Sequence, residues 1–223
     1  MRHLISPLDF TVEETYEVLD FADRIAANPK SLCTCSRRQT ACNYFFTSQV
    51  PERGFLLNRQ CSVLVDRRLD SQGGPIERFQ RGDNCGYGKV VSCYADIIVM
   101  RHPKEGAPLC ASMYSKIPVI NAGDGGHNHP TQTLIDLMTI RQRKGHLDHL
   151  TVGFCGDLKF GRTVHSLVNS LVRHPENEFY FISPEELKIP DYVIEETLKP
   201  TILLQEVPAW RKHFPNWYIL YMT

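Results

Sequence analysis

From residue 96 onward, short apolar runs rich in β-branched and aromatic residues alternate with stretches of helical periodicity, and this alternation limits the fold more than any other feature. Asp96 to Met100, Ile117 to Ile120, Thr151 to Cys155, Phe179 to Ile182, Ile202 to Val207 and Tyr218 to Met222 are predicted strands. Thr131 to Arg143, Arg162 to Arg173, Tyr192 to Leu198 and Ala209 to Phe214 are predicted helices. Near-continuous apolar strands separated by helices cannot form tight hairpins, so they predict parallel sheets with helices on their faces. The expected class is therefore α/β, with two doubly wound parallel-sheet domains meeting near Lys144-Gly145. At the other end, Ser6 and Thr11 are N-cap candidates, and Glu14 follows Thr11 at capping-box spacing. Val12, Tyr16, Leu19 and Ile25 then recur on one helical face until Asn28-Pro29 stops the run.

Lys plus Arg number 25 and Asp plus Glu number 25, so no net field draws in a polyanion or an acidic membrane surface. Nucleic acid is not an expected partner. No apolar stretch approaches the roughly 18 residues a spanning helix needs, and Met1 to Phe10 lacks the apolar core of a leader peptide. The expected location is the cytoplasm, with the eight cysteines as reduced thiols.

One segment breaks the pattern. Between Ser31 and Gly88 lie five of the eight cysteines and eight arginines, with no lysine, and the apolar residues follow neither period for any useful length.

In open parallel sheets, ligands sit beyond the carboxyl ends of the strands. Four such places carry polar chemistry: Arg101-His102-Pro103, the stretch from Asn121 to Gln132, the stretch from Gly156 to Arg162, and the end at Thr223. Read singly, each has a plain structural explanation. A lone arginine is most often a surface charge, and Gly123, Gly125 and Gly126 fit a tight turn. His102, His127 and His129 lack a Cys or carboxylate at ligand spacing, so no metal is expected. Gly156 to Gly161 is not the dinucleotide fingerprint, and Cys110 and Cys155 read as small buried hydrophobes.

Taken in order, M-R-H-P (Met100 to Pro103), N-A-G-D-G-G-x-x-H-P-T-Q-T-L (Asn121 to Leu134) and G-D-L-K-F-G-R-T-V-H-S-L (Gly156 to Leu167) resemble the aspartate/ornithine carbamoyltransferase family, and the aspartate enzymes within it more than the ornithine ones. The resemblance covers Met1 to about Pro29 and Val90 to Thr223. It implies a domain for carbamoyl phosphate over 1–145 and one for L-aspartate over 146–223, with carbamoyl transfer between the two substrates and no cofactor. It also implies that Arg101 and His129 hold the carbamoyl oxygen, Gln132 the carbamoyl amide and Arg162 a carboxylate of aspartate. These residue types suit a reaction whose rate must come from positioning and from stabilising an oxyanion. A homotrimer with shared active sites is implied as well, as is a possible regulatory subunit as partner.

Two family features are missing as written. A phosphate-cradling S-T-R-T-R run belongs in the Ser31 to Gly88 region, and an R-V-Q run belongs after Tyr221-Met222-Thr223, giving a shortened second domain as the expectation. Regrouping the codons of Gln49 to Gly54 by one base permits Ser-Thr-Arg-Thr-Arg, and regrouping those of Gln80 to Tyr87 in the third frame permits Lys-Gly-Glu-Thr-Thr-Ala-Asp-Thr, which resembles the family loop that reaches a neighbouring subunit. The expectation is a displaced reading frame over about 31–88, whether in the gene or in the sequence read from it, and a literal chain that folds poorly and is inactive. The alternatives are a non-enzymatic remnant of the family and a transcarbamoylase of the ornithine type.

Overall fold

The computed structural model describes residues 2–28, 40–45, 67–70, 88–89, 91–191, 193–194, 204–206 and 219–223. They divide into two compact units, Met1–Thr131 and Gln132–Thr223.

The first unit begins with two caps of the same kind. Ser6 Oγ accepts from the Leu8 N–H at 3.3 Å while Asp9 Oδ2 accepts from the Ser6 N–H at 2.9 Å, closing a 3-10 turn over Pro7–Asp9. Thr11 and Glu14 form the expected capping box at 3.2 and 2.8 Å and open α1 (Val12–Ala27), which stops at Asn28. The Arg2 guanidinium also holds Glu14, and together with the Thr11 N–H it pushes that carboxyl down to about 2.

The unit's sheet is wholly parallel among the described residues, in the order β2-β1-β3-β4, with β1 Thr40–Phe45, β2 Arg67–Asp70, β3 Ile97–His102 and β4 Val119–Asp124. Ile98, Met100 and Val119 are fully buried, and Ala107 and Ala111 of α2 (Ala107–Tyr114) pack into the same core. Three features depart from the sequence expectation. The unpatterned stretch supplies two strands, because β1 takes its register from β3, with Ala41 opposite Ile97, and β2 from β1, with Thr40 opposite Arg67. Pairing with an ordered neighbour overrides a weak local pattern. Next, α2 was not among the expected helices: its small and apolar residues form no stripe. Finally, β3 and β4 run on through Arg101-His102 and Asn121 to Asp124, which read as loop, because pairing with neighbouring strands continues over them.

The second unit contains most of α3 (Pro130–Lys144), and the division falls in that helix's first turn. Its sheet is again parallel, ordered β7-β6-β5-β8, with β5 Thr151–Cys155, β6 Glu178–Ile182, β7 Leu204–Glu206 and β8 Ile219–Met222. The α4 helix (Arg162–Leu171) buries Val164, Leu167, Val168 and Leu171, one stripe at helical spacing. Strand β8 is paired with β5 from Val152↔Ile219 to Cys155↔Met222. Helical backbone is present at 191, 193 and 194, within the stretch expected from Tyr192 to Leu198, and the expected helix Ala209 to Phe214 lies outside the described residues.

Among the described residues His102, His165 and His174 are buried. Burial lowers the pKa of both His102 and His174 below the ordinary 6.5. A histidine whose folded pKa is depressed binds its proton more readily when unfolded, so stability is full above 6.5 and falls as the pH drops below it. The midpoint of urea unfolding is therefore expected to fall between pH 7.5 and 5.5, and to fall less in His174→Gln; a midpoint independent of pH over that range contradicts this account.

Candidate active site

Arg101 is the penultimate residue of β3 and is half-buried, not the surface charge that a lone arginine suggests. The β3–β4 register shifts at this point: Met100 faces Asn121, whereas His102 faces Asp124. The extra residue of this bulge lies in β4, where Gly123 takes φ +116°, while Arg101 keeps its regular register opposite Phe45 of β1. His102 turns the other way, its ring buried and its Nδ1 accepting from the Lys104 N–H at 3.0 Å.

The acidic residue that ends β4 is scaffolding. Asp124 is 1% exposed, and its carboxylate accepts from Asn121 Nδ2 at 3.0 Å, the Asn128 N–H at 3.0 Å and the Gly106 N–H at 2.9 Å. Asn121 also donates to the Ile5 carbonyl at 2.9 Å and accepts from the Gly123 N–H at 2.8 Å. One buried anion therefore ties the start of α2, the end of β4 and the turn into α3 together, the kind of saturation that makes a buried charge tolerable. Gly125 completes the turn at φ +52°, and a Cβ there would lie 2.8 Å from both the Pro103 oxygen and Glu105 Cγ. Two reasons, conformation and space, exclude other residues. The turn delivers His129 directly before Pro130, the first residue of α3, with His129 Nδ1 3.2 Å from Thr131 Oγ1.

Within the second unit, Gln132 lies in the first turn of α3 and donates from Nε2 to Asp136 Oδ1 at 3.0 Å. The other oxygen of Asp136 accepts from the Tyr221 hydroxyl at 3.1 Å. Burial raises the Asp136 carboxyl above its ordinary value and pushes Tyr221 up to about 12. Sequence reasoning found Gln132 but not Asp136 or Tyr221; the four-residue spacing of Gln132 and Asp136 was the available signal, and nothing local points to Tyr221.

Arg162 is the first residue of α4 and is half-buried. The loop before it is tied at each step. The Gly156 N–H donates to the Ile182 carbonyl at 3.0 Å, Asp157 Oδ1 accepts from the Lys159 and Phe160 N–H groups at 3.2 and 3.0 Å, and fully buried Leu158 accepts from His165 Nε2 at 2.7 Å. A guanidinium on so constrained a turn is pre-organised for a planar anion. Among the described residues there is no cluster of three His, Cys, Asp or Glu able to hold a metal, and no helix long and apolar enough to cross a membrane.

The geometry agrees with what comparison finds. A family profile described as aspartate/ornithine carbamoyltransferase, carbamoyl-P binding domain, matches residues 78–142. The aspartate carbamoyltransferase catalytic subunit of Lachnoclostridium phytofermentans is 48% identical in an alignment covering 100% of this chain and 73% of the relative, and that of Clostridium acetobutylicum is 45% identical over the same shares. Among solved structures, the catalytic subunit of M. jannaschii aspartate transcarbamoylase superposes with a TM-score of 0.88 at 35% identity, over 100% of this chain and 73% of that one. On its fold, its motifs and this likeness, the chain belongs to the aspartate carbamoyltransferase family.

Proposed function

We propose that this chain transfers the carbamoyl group of carbamoyl phosphate to the amine of L-aspartate, giving N-carbamoyl-L-aspartate and phosphate. The observation that carries the reading is the likeness of the whole of this chain to 73% of catalytic subunits of this name, together with guanidinium, imidazole and amide groups at strand tips and helix starts. The aspartate amine attacks the carbamoyl carbon, the carbonyl oxygen gathers negative charge in a tetrahedral intermediate, and collapse expels phosphate. Arg101 and His129 donate to that oxygen, where charge develops and donors have their largest effect on rate. Gln132 accepts from the carbamoyl NH2, and Arg162 grips a carboxylate of aspartate through its planar fork, a geometry lysine cannot reproduce. Residues 1–145 serve carbamoyl phosphate and 146–223 serve aspartate. We place the protein in the cytoplasm and assign it a homotrimeric assembly.

A second reading, a non-enzymatic remnant, is favoured by two observations: no S-T-R-T-R run is present as written, and the profile match begins only at residue 78. The coding DNA across 31–88 decides between them. If the frame is displaced there, the corrected chain is expected to carbamoylate aspartate in preference to ornithine, and the literal chain to show no transfer. An undisturbed frame supports the remnant, and a preference for ornithine overturns the choice of acceptor.

A further inference from the structure

Three groups of the second unit are left over after the roles above are assigned: a half-buried carboxylate, Asp136; a tyrosine on the terminal strand, Tyr221; and the hydrogen bond joining Gln132 to the first of them. Glutamine has a chemically two-faced head, with a carbonyl that only accepts and an NH2 that only donates, and which face points outward is decided by its partners. Asp136 offers carboxylate oxygens, so it captures the NH2 of Gln132 and leaves Oε1 to face away from it. The carboxylate has a fixed orientation of its own, because the Tyr221 hydroxyl occupies its second oxygen at 3.1 Å. The Tyr221 ring is seated in turn beside Phe154, at 5.8 Å between centroids, on a strand paired with β5. Three links thus run from the sheet to a side chain on α3.

We propose that Tyr221 and Asp136 are positioning residues that set the amide of Gln132 so that its carbonyl, not its NH2, is presented to the substrate. This selects for a ligand with an N–H donor at that point, as a carbamoyl NH2 has, and against an acetyl or carboxylate group of the same size. The inference rests on the assignment of Gln132 to the carbamoyl amide. A site built to bond one polar group rejects an analogue lacking it, because its own group is left unpaired.

Measurements on the full frame-corrected chain, with 15N-labelled glutamine side chains and 13C-labelled aspartate carboxyls, test this. In the unsubstituted protein a scalar coupling is expected from Gln132 Nε2 across the hydrogen bond to the Asp136 carboxyl carbon. Tyr221→Phe keeps the ring and hence the fold, and is expected to weaken that coupling; Asp136→Asn removes it, since an asparagine NH2 can turn the glutamine around. Titration with carbamoyl phosphate, with acetyl phosphate as the analogue without the N–H donor, gives the functional arm. Asp136→Asn is expected to cost about tenfold in affinity for carbamoyl phosphate and little for acetyl phosphate, on the scale of one neutral hydrogen bond. The double variant with Gln132→Ala should be no weaker than Gln132→Ala alone, a coupling that a purely structural role does not produce. If Gln132→Ala weakens carbamoyl phosphate but Asp136→Asn and Tyr221→Phe do not, the positioning role is overturned while the site stands. If Gln132→Ala itself leaves the affinity unchanged, the assignment of Gln132 fails.

Discussion

Replacing Arg101 by alanine in the frame-corrected chain is expected to lower carbamoyl transfer by at least about a hundredfold, the usual cost of removing one donor to a developing oxyanion. The expectation follows from its half-buried place at the carboxyl end of β3, where parallel sheets gather ligands. A bidentate guanidinium differs in kind from an ammonium, so Arg101→Lys should recover only a fraction of the rate. His129→Ala should produce a loss of similar size, and the double substitution less than the product of the two, because donors to one oxygen act as a unit. Steady-state rates at saturating carbamoyl phosphate and aspartate are the measurement. Turnover that survives with both residues made alanine removes the chemical basis of the assignment.

The second large effect concerns stability. Phe154 is fully buried in the middle of β5, with its ring centroid 6.2 Å from Phe179, 5.6 Å from Phe181 and 5.8 Å from Tyr221. Phe154→Ala removes the ring these three share, and the sheet backbone, bonded on both sides to β6 and β8, cannot collapse into the space. A loss of about 3–5 kcal/mol is expected for a truncation of this kind, out of a total stability that is typically about 5–15 kcal/mol for a domain. The urea midpoint followed by circular dichroism should fall steeply, or the variant should fail to accumulate as a folded protein. Phe160→Ala is the control: its ring is 66% exposed, so the midpoint should scarcely move. Equal effects of the two substitutions contradict the packing described for the second unit.

The same contrast between local and distant causes divides what could be read early from what could not. Strand β5 has the bounds that its residues predict, Thr151 to Cys155, since a run of apolar and β-branched residues between polar ends carries its own instruction. The capping box of Thr11 and Glu14 is equally local. Arg101, His129, Gln132 and Arg162 were singled out by the resemblance of the motifs that hold them, and each lies where an apolar run ends or a helix begins, the place where parallel sheets gather ligands. By contrast, α2 has almost no polar face to betray its period, and β1 and β2 become strands through pairing with a neighbour.

By itself the amino-acid order determined the α/β class, the parallel alternation, the helix start at Thr11 and the four candidate groups, because all of these depend on side-chain character within a turn or two of the chain. Tertiary structure alone decided that Asp124 is a buried tie and not a reagent, that β4 bulges beside Arg101, and that Tyr221 meets Asp136 across 85 positions of sequence. Those facts depend on which groups are brought together and dried by packing, and hydrogen bonds made in a dry interior leave no periodic trace in the residues that make them.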